Sequence, residues 1–318
     1  MKLVVLDGYT LNPGDLSWQV LETLGDCRIY DRTPADRVLG RCENAEVVFT
    51  NKVVLSREIL LKLPKLRYIG VLATGYNVVD IGAADELGIV VTNTPAYGSK
   101  AVAQFVYSLL LSFLQPVSYY DAAVKSGRWS NSPDFCFYDH SMAELADKTL
   151  GIIGFGNIGR QVAQYARCFD MRVIVTSRRK PNDLPSDILY LSLDELVRES
   201  DVITLHCPLT DENRGMVNRE FLGRMKTTAY LINTGRGPLV DEAALADALR
   251  ERQIAGAALD VLAQEPPSPD NPLLKLDNCL ITPHIAWATL AARQRLMDIA
   301  IENLKAFLRG ERMNQVMA

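Results

Sequence analysis

The feature that most constrains the fold is a glycine-rich turn at residues 154–159, which fits the spacing G-x-G-x-x-G. It follows an apolar segment and opens a helical pattern, the context that this motif requires. The first glycine allows a tight turn, the second lets the backbone approach a pyrophosphate, and the third lets helix and strand pack closely. The helix N-terminus then offers N–H groups and a positive dipole to phosphates. The pattern predicts a dinucleotide-binding turn that uses Gly154, Gly156, Asn157, Ile158 and Gly159.

The end of the next strand indicates which dinucleotide binds. About twenty residues after the motif, an Asp or Glu would accept a hydrogen bond from a ribose 2′-hydroxyl. Here the strand at residues 172–176 is followed by Ser177, Arg178 and Arg179, with no carboxylate. A small hydroxyl and two guanidinium groups suit a 2′-phosphate, because guanidinium binds phosphate through two parallel hydrogen bonds. The sequence therefore favours NADP, while NAD, or the use of both, stays open.

Short β-branched segments alternate with helical patterns along the whole chain, which predicts an α/β fold with parallel sheets. The first third contains strand candidates at residues 3–6, 47–50, 67–72 and 89–92. A second series has the content of a complete doubly wound sheet, with strand candidates at residues 150–153, 172–176, 202–206, 230–233, 256–261 and 280–282. Helix N-termini are predicted at Asp80, at Ser192 with Glu195 three residues on, and at Asp241.

Two long helices and one irregular segment complete the pattern. The helix predicted over residues 100–125 is apolar over more of its surface than a solvent-facing helix, which suits burial between domains or subunits. Residues 127–148 read as an irregular connection rich in aromatic side chains, including Phe135 and Phe137. Residues 288–307 read as one amphipathic helix.

Composition narrows the class of protein. The 318 residues suffice for two domains, and 48% hydrophobic with 23% charged residues is ordinary for a globular enzyme. A formal charge of −4 argues against broad nucleic-acid binding. The six cysteines lack metal-type spacing, so we expect buried free thiols in a reducing cytosol and no metal site. The N-terminal apolar run is too short for a signal peptide, and residues 101–117 read as a buried helix rather than a membrane span. The cytoplasm is therefore the expected compartment.

The chain has three histidines, and their positions suggest different roles. Transfer of a hydride to or from an alcohol carbon needs a group that gives or takes the hydroxyl proton, and histidine does this near neutral pH. His284 follows a predicted strand, and doubly wound sheets bind ligands at the carboxyl ends of their strands. His206 also ends a strand, which places it on the cofactor side. His140 lies in the irregular segment, where we expect it to be exposed.

Several segments in register resemble the D-isomer-specific 2-hydroxyacid dehydrogenases. They cover the chain almost from end to end, and they are residues 73–80 (ATGYNVVD), 205–210 (LHCPLT), 233–237 (NTGRG), 260–266 (DVLAQEP) and 282–286 (TPHIA). Within that family, the first domain and residues 132–137 look most like glycerate dehydrogenases, also called hydroxypyruvate reductases. The resemblance implies an NAD(P)-dependent oxidoreductase that reduces a small 2-keto acid, with hydroxypyruvate and glyoxylate as the first substrates to test.

The resemblance also implies a role for individual residues. Arg236 would hold the carboxylate and the carbonyl oxygen of the substrate, for which its planar fork is suited. His284 would give or take the proton, and Glu265 would bond the far nitrogen of its ring and fix the tautomer.

Further residues follow from the same segments. On the substrate side, the resemblance implies Ala73, Thr74 and Gly75, whose backbone N–H groups would grip the carboxylate. Lys52 would add a positive charge there, or is a surface lysine. On the cofactor side, the resemblance implies contacts from Cys207, Pro208, Thr234, Gly235 and Asp260.

The implied architecture is a pair of doubly wound parallel-sheet domains with a cleft between them. Residues 1–99 and 288–318 would form a flavodoxin-like substrate-binding domain, and residues 100–287 a Rossmann dinucleotide-binding domain. The family resemblance implies a homodimer built on the helix at residues 100–125, and neither a nucleic-acid nor a membrane partner. As an alternative, some relatives act as dinucleotide-sensing corepressors. The departures from the family pattern are the basic segment at residues 177–179 and Asn213, where threonine is common.

Overall fold

In the computed structural model, which describes residues 1–317, the chain forms two compact units. The first comprises Met1–Gly98 and the segment from Trp287 onward, and the second comprises Ser99–Ala286. The strands are β1 (Lys2–Val5), β2 (Asp26–Ile29), β3 (Val47–Thr50), β4 (Tyr68–Val71), β5 (Val90–Thr92), β6 (Thr149–Ile153), β7 (Arg172–Thr176), β8 (Ile188–Tyr190), β9 (Val202–Leu205), β10 (Tyr230–Asn233), β11 (Gly256–Leu259), β12 (Cys279–Ile281) and β13 (Gln315–Val316). The helices are α1 (Gln19–Glu22), α2 (Val38–Cys42), α3 (Arg57–Leu60), α4 (Ile81–Glu86), α5 (Ser99–Leu114), α6 (Val117–Lys125), α7 (Asn157–Cys168), α8 (Leu193–Glu199), α9 (Arg219–Arg224), α10 (Glu242–Arg250) and α11 (Leu290–Leu308).

The first unit is built on a sheet of order β13-β5-β4-β3-β1-β2. All of its pairs are parallel except β13 with β5. Leaving β13 aside, this is the flavodoxin-like strand order. Successive residues of one strand enter hydrophobic clusters on opposite faces, as Val4 and Val5 do. Burial on both faces explains why these strands are continuous apolar runs rather than alternating ones.

The second unit is built on a wholly parallel sheet of order β12-β11-β10-β9-β6-β7-β8. This is the Rossmann order with one further strand, and the order reverses between β6 and β9. Val173 and Val175 pack into one cluster while Ile174 packs into the other. The predicted α/β class with two parallel sheets is confirmed, and the switch point fixes where a ligand binds in such a sheet.

The helix predicted as one segment over residues 100–125 is two helices, so that prediction is wrong. The chain bends by 54° between α5 and α6. Pro116 lies at the break. Proline ends the helix there because it has no N–H for the helical hydrogen bonds and its ring collides with the preceding turn. Residues 127–148 contain neither helix nor strand, as expected.

Three short strands escaped prediction from sequence. β2 is only half buried, β8 has three residues, and β13 has two. Such segments lack the apolar run that marks the interior strands. Several predicted strands also end one or two residues earlier, among them β9 at Leu205 and β11 at Leu259. His206 and Asp260 therefore lie in loops just beyond the carboxyl ends of β9 and β11.

The predicted helix starts are confirmed by side-chain caps. The Asp80 carboxylate accepts from the Ala83 N–H, and Ser192 and Glu195 form a reciprocal capping box. The last helix is also confirmed, although it begins at Leu290 after the cap residue Thr289.

No single helix within residues 1–317 has the length and apolar character needed to cross a membrane, and only α5 and α6 taken together meet those two criteria. The six cysteines form no disulfide. Cys136 and Cys168 are exposed, so the expectation of buried thiols is wrong for these two.

Candidate active site

The glycine-rich turn lies where β6 passes into α7, and two of its glycines are needed for steric reasons. Gly154 has a φ of 99°, and a Cβ there would lie 2.5 Å from the backbone nitrogen of Cys207. A Cβ on Gly159 would lie 2.2 Å from the carbonyl oxygen of Gly154. The Gly154 N–H donates to the Thr176 carbonyl at the end of β7. The turn is thus packed against two neighbouring strand ends.

Gly156 differs from its neighbours because a Cβ there would meet nothing within 4 Å. It is the N-cap of α7, makes no side-chain cap, and is followed by no acidic residue in the first turn. The N-terminus of α7 therefore presents N–H groups and an uncompensated positive dipole beside open space. This is the environment that binds a phosphate group.

Two buried polar atoms near these strand ends lack a hydrogen-bond partner within residues 1–317, the Nδ1 atom of His206 and the hydroxyl of Thr234. The Nε2 atom of His206 lies 2.9 Å from the hydroxyl of Thr204. Burial lowers the pKa of His206 to about 3, so the ring is neutral at physiological pH. Buried polar groups normally find partners, so these atoms, with the cradle at Gly156, fit a bound dinucleotide.

The end of β7 carries the basic segment, as the sequence predicts. Arg178 and Arg179 are exposed, and the Ser177 hydroxyl donates to the Arg179 carbonyl and so shapes the turn. The pKa of the Cys207 thiol is raised by burial, and the positive charge of Arg178 acts against this rise. Arg178 is thus electrostatically coupled to the loop after β9, where Pro208 is exposed.

The turn after β10 holds Arg236 in place through its backbone. The buried Asn233 side chain donates to the Arg236 carbonyl at 2.9 Å and accepts from the Gly235 N–H at 3.0 Å. The Arg236 guanidinium donates to the Gly235 carbonyl at 2.8 Å, and its side chain is exposed. One asparagine therefore fixes the turn that presents a guanidinium at the sheet edge.

His284 and Glu265 are paired, although nineteen residues separate them in the sequence. The Nδ1 atom of His284 lies 2.7 Å from Oε2 of Glu265, and the side chains are 27% and 37% exposed. His284 has a φ of 56°, which is unusual for a residue with a side chain. A carboxylate at Nδ1 holds a proton there in the neutral ring and directs proton transfer to Nε2.

Asp260 is 1% exposed, and it holds the segment around His284 through hydrogen bonds. Its Oδ1 atom accepts from the Thr282 hydroxyl and the Ile285 N–H, and Oδ2 accepts from the Ala286 N–H. Its carbonyl accepts from the His284 N–H at 2.8 Å. These bonds stabilise the unusual backbone of His284. The cofactor contact assigned to Asp260 from the sequence stays a prediction.

In the first unit, the loop after β3 carries the exposed Lys52. The buried Asp7 carboxylate accepts from the backbone N–H groups of Asn51, Lys52 and Val53, at 2.8, 2.6 and 3.1 Å. Three charge-assisted hydrogen bonds to one carboxylate hold the backbone of this loop in place.

Ala73, Thr74 and Gly75 lie in the loop just after β4. The Thr74 hydroxyl donates to the Thr94 carbonyl at 2.9 Å, and the Thr74 carbonyl accepts from the Asn93 amide at 2.7 Å. This loop is therefore tied to the end of β5. The substrate contacts assigned to these residues and to Lys52 stay predictions.

Residues 107–286 match the family model described as "D-isomer specific 2-hydroxyacid dehydrogenase, NAD binding domain". This match covers more than half of the chain. The chain belongs to the D-isomer specific 2-hydroxyacid dehydrogenase family. It is therefore an oxidoreductase that uses a nicotinamide cofactor on small 2-keto and 2-hydroxy acids.

Curated relatives and a solved structure agree with this membership. A hydroxypyruvate reductase of Blautia hydrogenotrophica is 48% identical, with 99% of each chain covered. A glycerate dehydrogenase of Methylorubrum extorquens is 40% identical, covering 100% of this chain and 99% of its own. The NADPH-dependent glyoxylate/hydroxypyruvate reductase of Sinorhizobium meliloti, solved with NADP and malonate, is 29% identical, with a TM-score of 0.84, covering 99% of this chain and 96% of that one.

Membership in the 2-hydroxyacid dehydrogenase family confirms the resemblance to this family that the sequence motifs indicate. The corepressor alternative is not favoured, because these relatives carry the names of reductases and dehydrogenases. Within residues 1–317, no cluster of three or more His, Cys, Asp or Glu side chains is arranged to hold a metal ion.

Three polar residues of the dehydrogenase were missed from the sequence. Asp7 follows β1 just as other functional residues follow their strands, and that position was the available signal. Asn233 ends β10 inside a motif that was recognised, so its amide was a missed candidate. Glu242 stands at the start of α10, and no sequence pattern links it to the loop that it contacts.

Proposed function

We propose that this chain reduces hydroxypyruvate or glyoxylate to the corresponding 2-hydroxy acid, of the D configuration where the product is chiral. The names of the curated relatives support the substrate class. The single observation that carries the proposal is the 2.7 Å contact between His284 and Glu265. Glu265 follows β11 and His284 follows β12, and both strands belong to the sheet whose β6 leads into the glycine-rich turn. The pair therefore lies beyond the carboxyl ends of the strands, where such sheets bind ligands.

The chemistry divides among a few side chains of this chain. The nicotinamide cofactor supplies the hydride when it is bound. Arg236 binds the carboxylate and polarises the ketone oxygen through its planar fork. The Nε2 atom of His284 gives the proton to the developing alkoxide, while Glu265 keeps the ring oriented. In the reverse direction the same nitrogen takes the proton.

We further propose that Lys52, Ala73, Thr74 and Gly75 bind the substrate carboxylate. The N–H groups of the loop after β4 and the charge of Lys52 suit an anion. The hydrogen bond that Lys52 donates to Asp7 and the one that Asn93 donates to Thr74 support this part of the proposal, because each loop is held before any ligand arrives.

NADP is the proposed cofactor, and NAD is the alternative. Arg178 and Arg179 are exposed at the end of β7, and no carboxylate follows that strand to receive a ribose 2′-hydroxyl. The Ser177 hydroxyl is engaged with the Arg179 carbonyl, so the turn is already shaped. The related Sinorhizobium meliloti enzyme is named as NADPH-dependent.

For assembly and compartment, we propose a homodimer in the cytoplasm with no nucleic-acid or membrane partner. The exposed apolar side chains of Val117, Tyr119 and Val124 on α6 support the homodimer, because a second copy of the chain would cover them. The two exposed free thiols, Cys136 and Cys168, suit a reducing compartment.

Consumption of reduced nicotinamide tests the proposal directly. The assay pairs hydroxypyruvate and glyoxylate with NADPH and NADH in a two-by-two design. We expect turnover with both acids and a preference for NADPH. In Arg178→Ala, the Michaelis constant for NADPH should rise about tenfold or more while that for NADH changes little, since one charge-assisted bond is worth about 1.5–3 kcal/mol.

The control is Arg172→Ala, which removes an exposed arginine from the opposite end of β7. Equal effects of Arg178→Ala and Arg172→Ala, or a wild-type preference for NADH, would contradict the NADP assignment while leaving the reductase intact. No turnover with either acid would contradict the substrate assignment.

A further inference from the structure

The loop that carries Glu265 begins directly after β11 and bends back on itself. The Leu262 N–H donates to Oε1 of Glu265 at 3.2 Å, while Oε2 contacts His284 at 2.7 Å. The position of the Glu265 carboxylate therefore depends on where the backbone of residues 262 and 263 is held. Neither of those residues carries a polar side chain that could hold it.

Glu242, at the first position of α10, fixes this backbone through hydrogen bonds from another element. Its Oε1 atom accepts from the Ala263 N–H at 2.6 Å, and its Oε2 atom accepts from the Asn271 amide at 2.7 Å. The Asn271 amide oxygen in turn accepts from the Leu273 N–H. One carboxylate thus ties together the two ends of the loop over residues 263–271.

The same loop rests on the residue after Arg236. A Cβ on Gly237 would lie 1.9 Å from the Leu262 carbonyl carbon and 2.5 Å from the Ala263 nitrogen. The backbone of the Glu265 loop is therefore in direct contact with the turn that presents Arg236. The Ala263 N–H that donates to Glu242 therefore belongs to a backbone segment that contacts the Arg236 turn.

The helix itself does not need Glu242 as a cap. The Asp241 side chain already accepts from the N–H groups of Ala243 and Ala244 at the N-terminus of α10. Both Glu242 oxygens are used by the loop instead. Their function is thus outside the helix, at the segment that leads to Glu265.

We propose that Glu242 is a positioning residue for the reaction, which fixes the Glu265 loop so that the carboxylate meets Nδ1 of His284. This rests on the proposed function of His284 as the proton donor. Glu242 acts through Glu265 and does not touch the substrate. Its loss should lower kcat through misorientation of the imidazole and leave cofactor binding nearly unchanged.

The decisive readout is the imidazole of His284 rather than turnover. With three histidines in the chain, ¹⁵N-histidine spectra can be assigned from the loss of one set of signals in His284→Ala. In the wild-type protein without ligand at about pH 8.5, we expect the Nδ1–H tautomer with a downfield proton bonded to Glu265. In Glu242→Ala, we expect that proton signal to be lost and both tautomers to be populated.

Kinetics supply the second readout. In Glu242→Ala, kcat should fall about 10- to 100-fold, because a small misplacement of a reacting group is that costly, while the dissociation constant for NADPH stays within about twofold. Glu242→Gln can still accept from Ala263 but places its amide NH2 group against the NH2 group of Asn271, where two donors meet, so its effects should be intermediate. The control is Glu220→Ala, which removes an acidic residue from the first turn of α9.

A folded Glu242→Ala protein that keeps the wild-type Nδ1–H signal would overturn the proposal. If that variant does not fold, Glu242→Gln decides, and an unchanged signal there overturns the proposal equally. The spectra are independent of which keto acid is turned over. A failure of the proposed function would therefore appear in the assays while the spectra still decide the role of Glu242.

Discussion

The carboxyl edge of the second sheet has two halves that are built by opposite means. Around β6 and β9, the chain leaves open space beside Gly156, and within residues 1–317 the Nδ1 atom of His206 has no hydrogen-bond partner. Around β11 and β12, the carboxylates of Asp260 and Glu265 are engaged with backbone and side-chain partners. One half is open toward a ligand, and the other is already bonded.

The difference follows from what each half must do. A dinucleotide brings its own charges and hydrogen-bonding groups. The protein therefore needs open space, a helix N-terminus and polar groups that can still form hydrogen bonds with the ligand. A proton donor must be oriented before the substrate arrives, because reorganisation at the moment of reaction raises the barrier. Mutations in the first half should therefore affect binding, and mutations in the second should affect the rate.

The first of these variants is at Arg236, which serves both binding and rate. Arg236→Ala removes two charge-assisted hydrogen bonds to the substrate, worth together about 4 kcal/mol, so kcat/KM should fall roughly 10³-fold. Steady-state kinetics with hydroxypyruvate measure this, and Arg250→Ala on α10 is the control. A fall of less than about tenfold in kcat/KM would remove Arg236 from the substrate site.

Substitutions at Gly156 and Gly154 distinguish an effect on cofactor binding from an effect on folding stability. Gly156→Ala adds a methyl group into space that the protein leaves open, so thermal stability should stay unchanged while the dissociation constant for NADPH rises about tenfold, or about 1.4 kcal/mol. Gly154→Ala should lose stability as well, since its φ of 99° strains an alanine by about 1–3 kcal/mol. Nicotinamide fluorescence and thermal unfolding measure both. Tight NADPH binding by Gly156→Ala would contradict the phosphate cradle.

The smallest effect concerns the neutral His206. Its pKa is about 3 in the folded chain against an ordinary 6.5, so the unfolded chain binds the extra proton between these values. Stability from this residue is therefore complete above pH 6.5 and is lost as the pH falls, by about 1.4 kcal/mol at pH 5.5. Urea denaturation at pH 7.5 and 5.5 should show this loss in the wild-type protein and a smaller one in His206→Phe. Equal losses in the two proteins would contradict a buried neutral ring.

Much of the fold follows from the sequence because its strands are buried on both faces. Continuous apolar runs mark β3 and β7, and the side-chain caps at Asp80 and Ser192 mark helix starts. The edge strands β8 and β13 have no such run, since they are short and less buried. The break at Pro116 was available from the sequence, because proline interrupts a helix.

The candidate site divides in the same way. Gly154, Arg236 and His284 could be predicted because each stands in a short sequence motif that indicates its role. Glu242 contacts a loop 21 residues away through its side chain alone, and local sequence does not encode a tertiary hydrogen bond of that kind. Asp7 meets residues 44 to 46 positions further along for the same reason.

The most direct test of the account is turnover of hydroxypyruvate by His284→Ala beside His140→Ala, with the dissociation constant for NADPH measured on both. The account predicts a fall in kcat of about 10²–10⁴ for His284→Ala, the range expected for general acid catalysis, with NADPH binding unchanged. His140 is exposed in the irregular segment, so its variant should turn over like the wild-type enzyme. Near-wild-type turnover by His284→Ala would contradict the assignment of His284 as the proton donor.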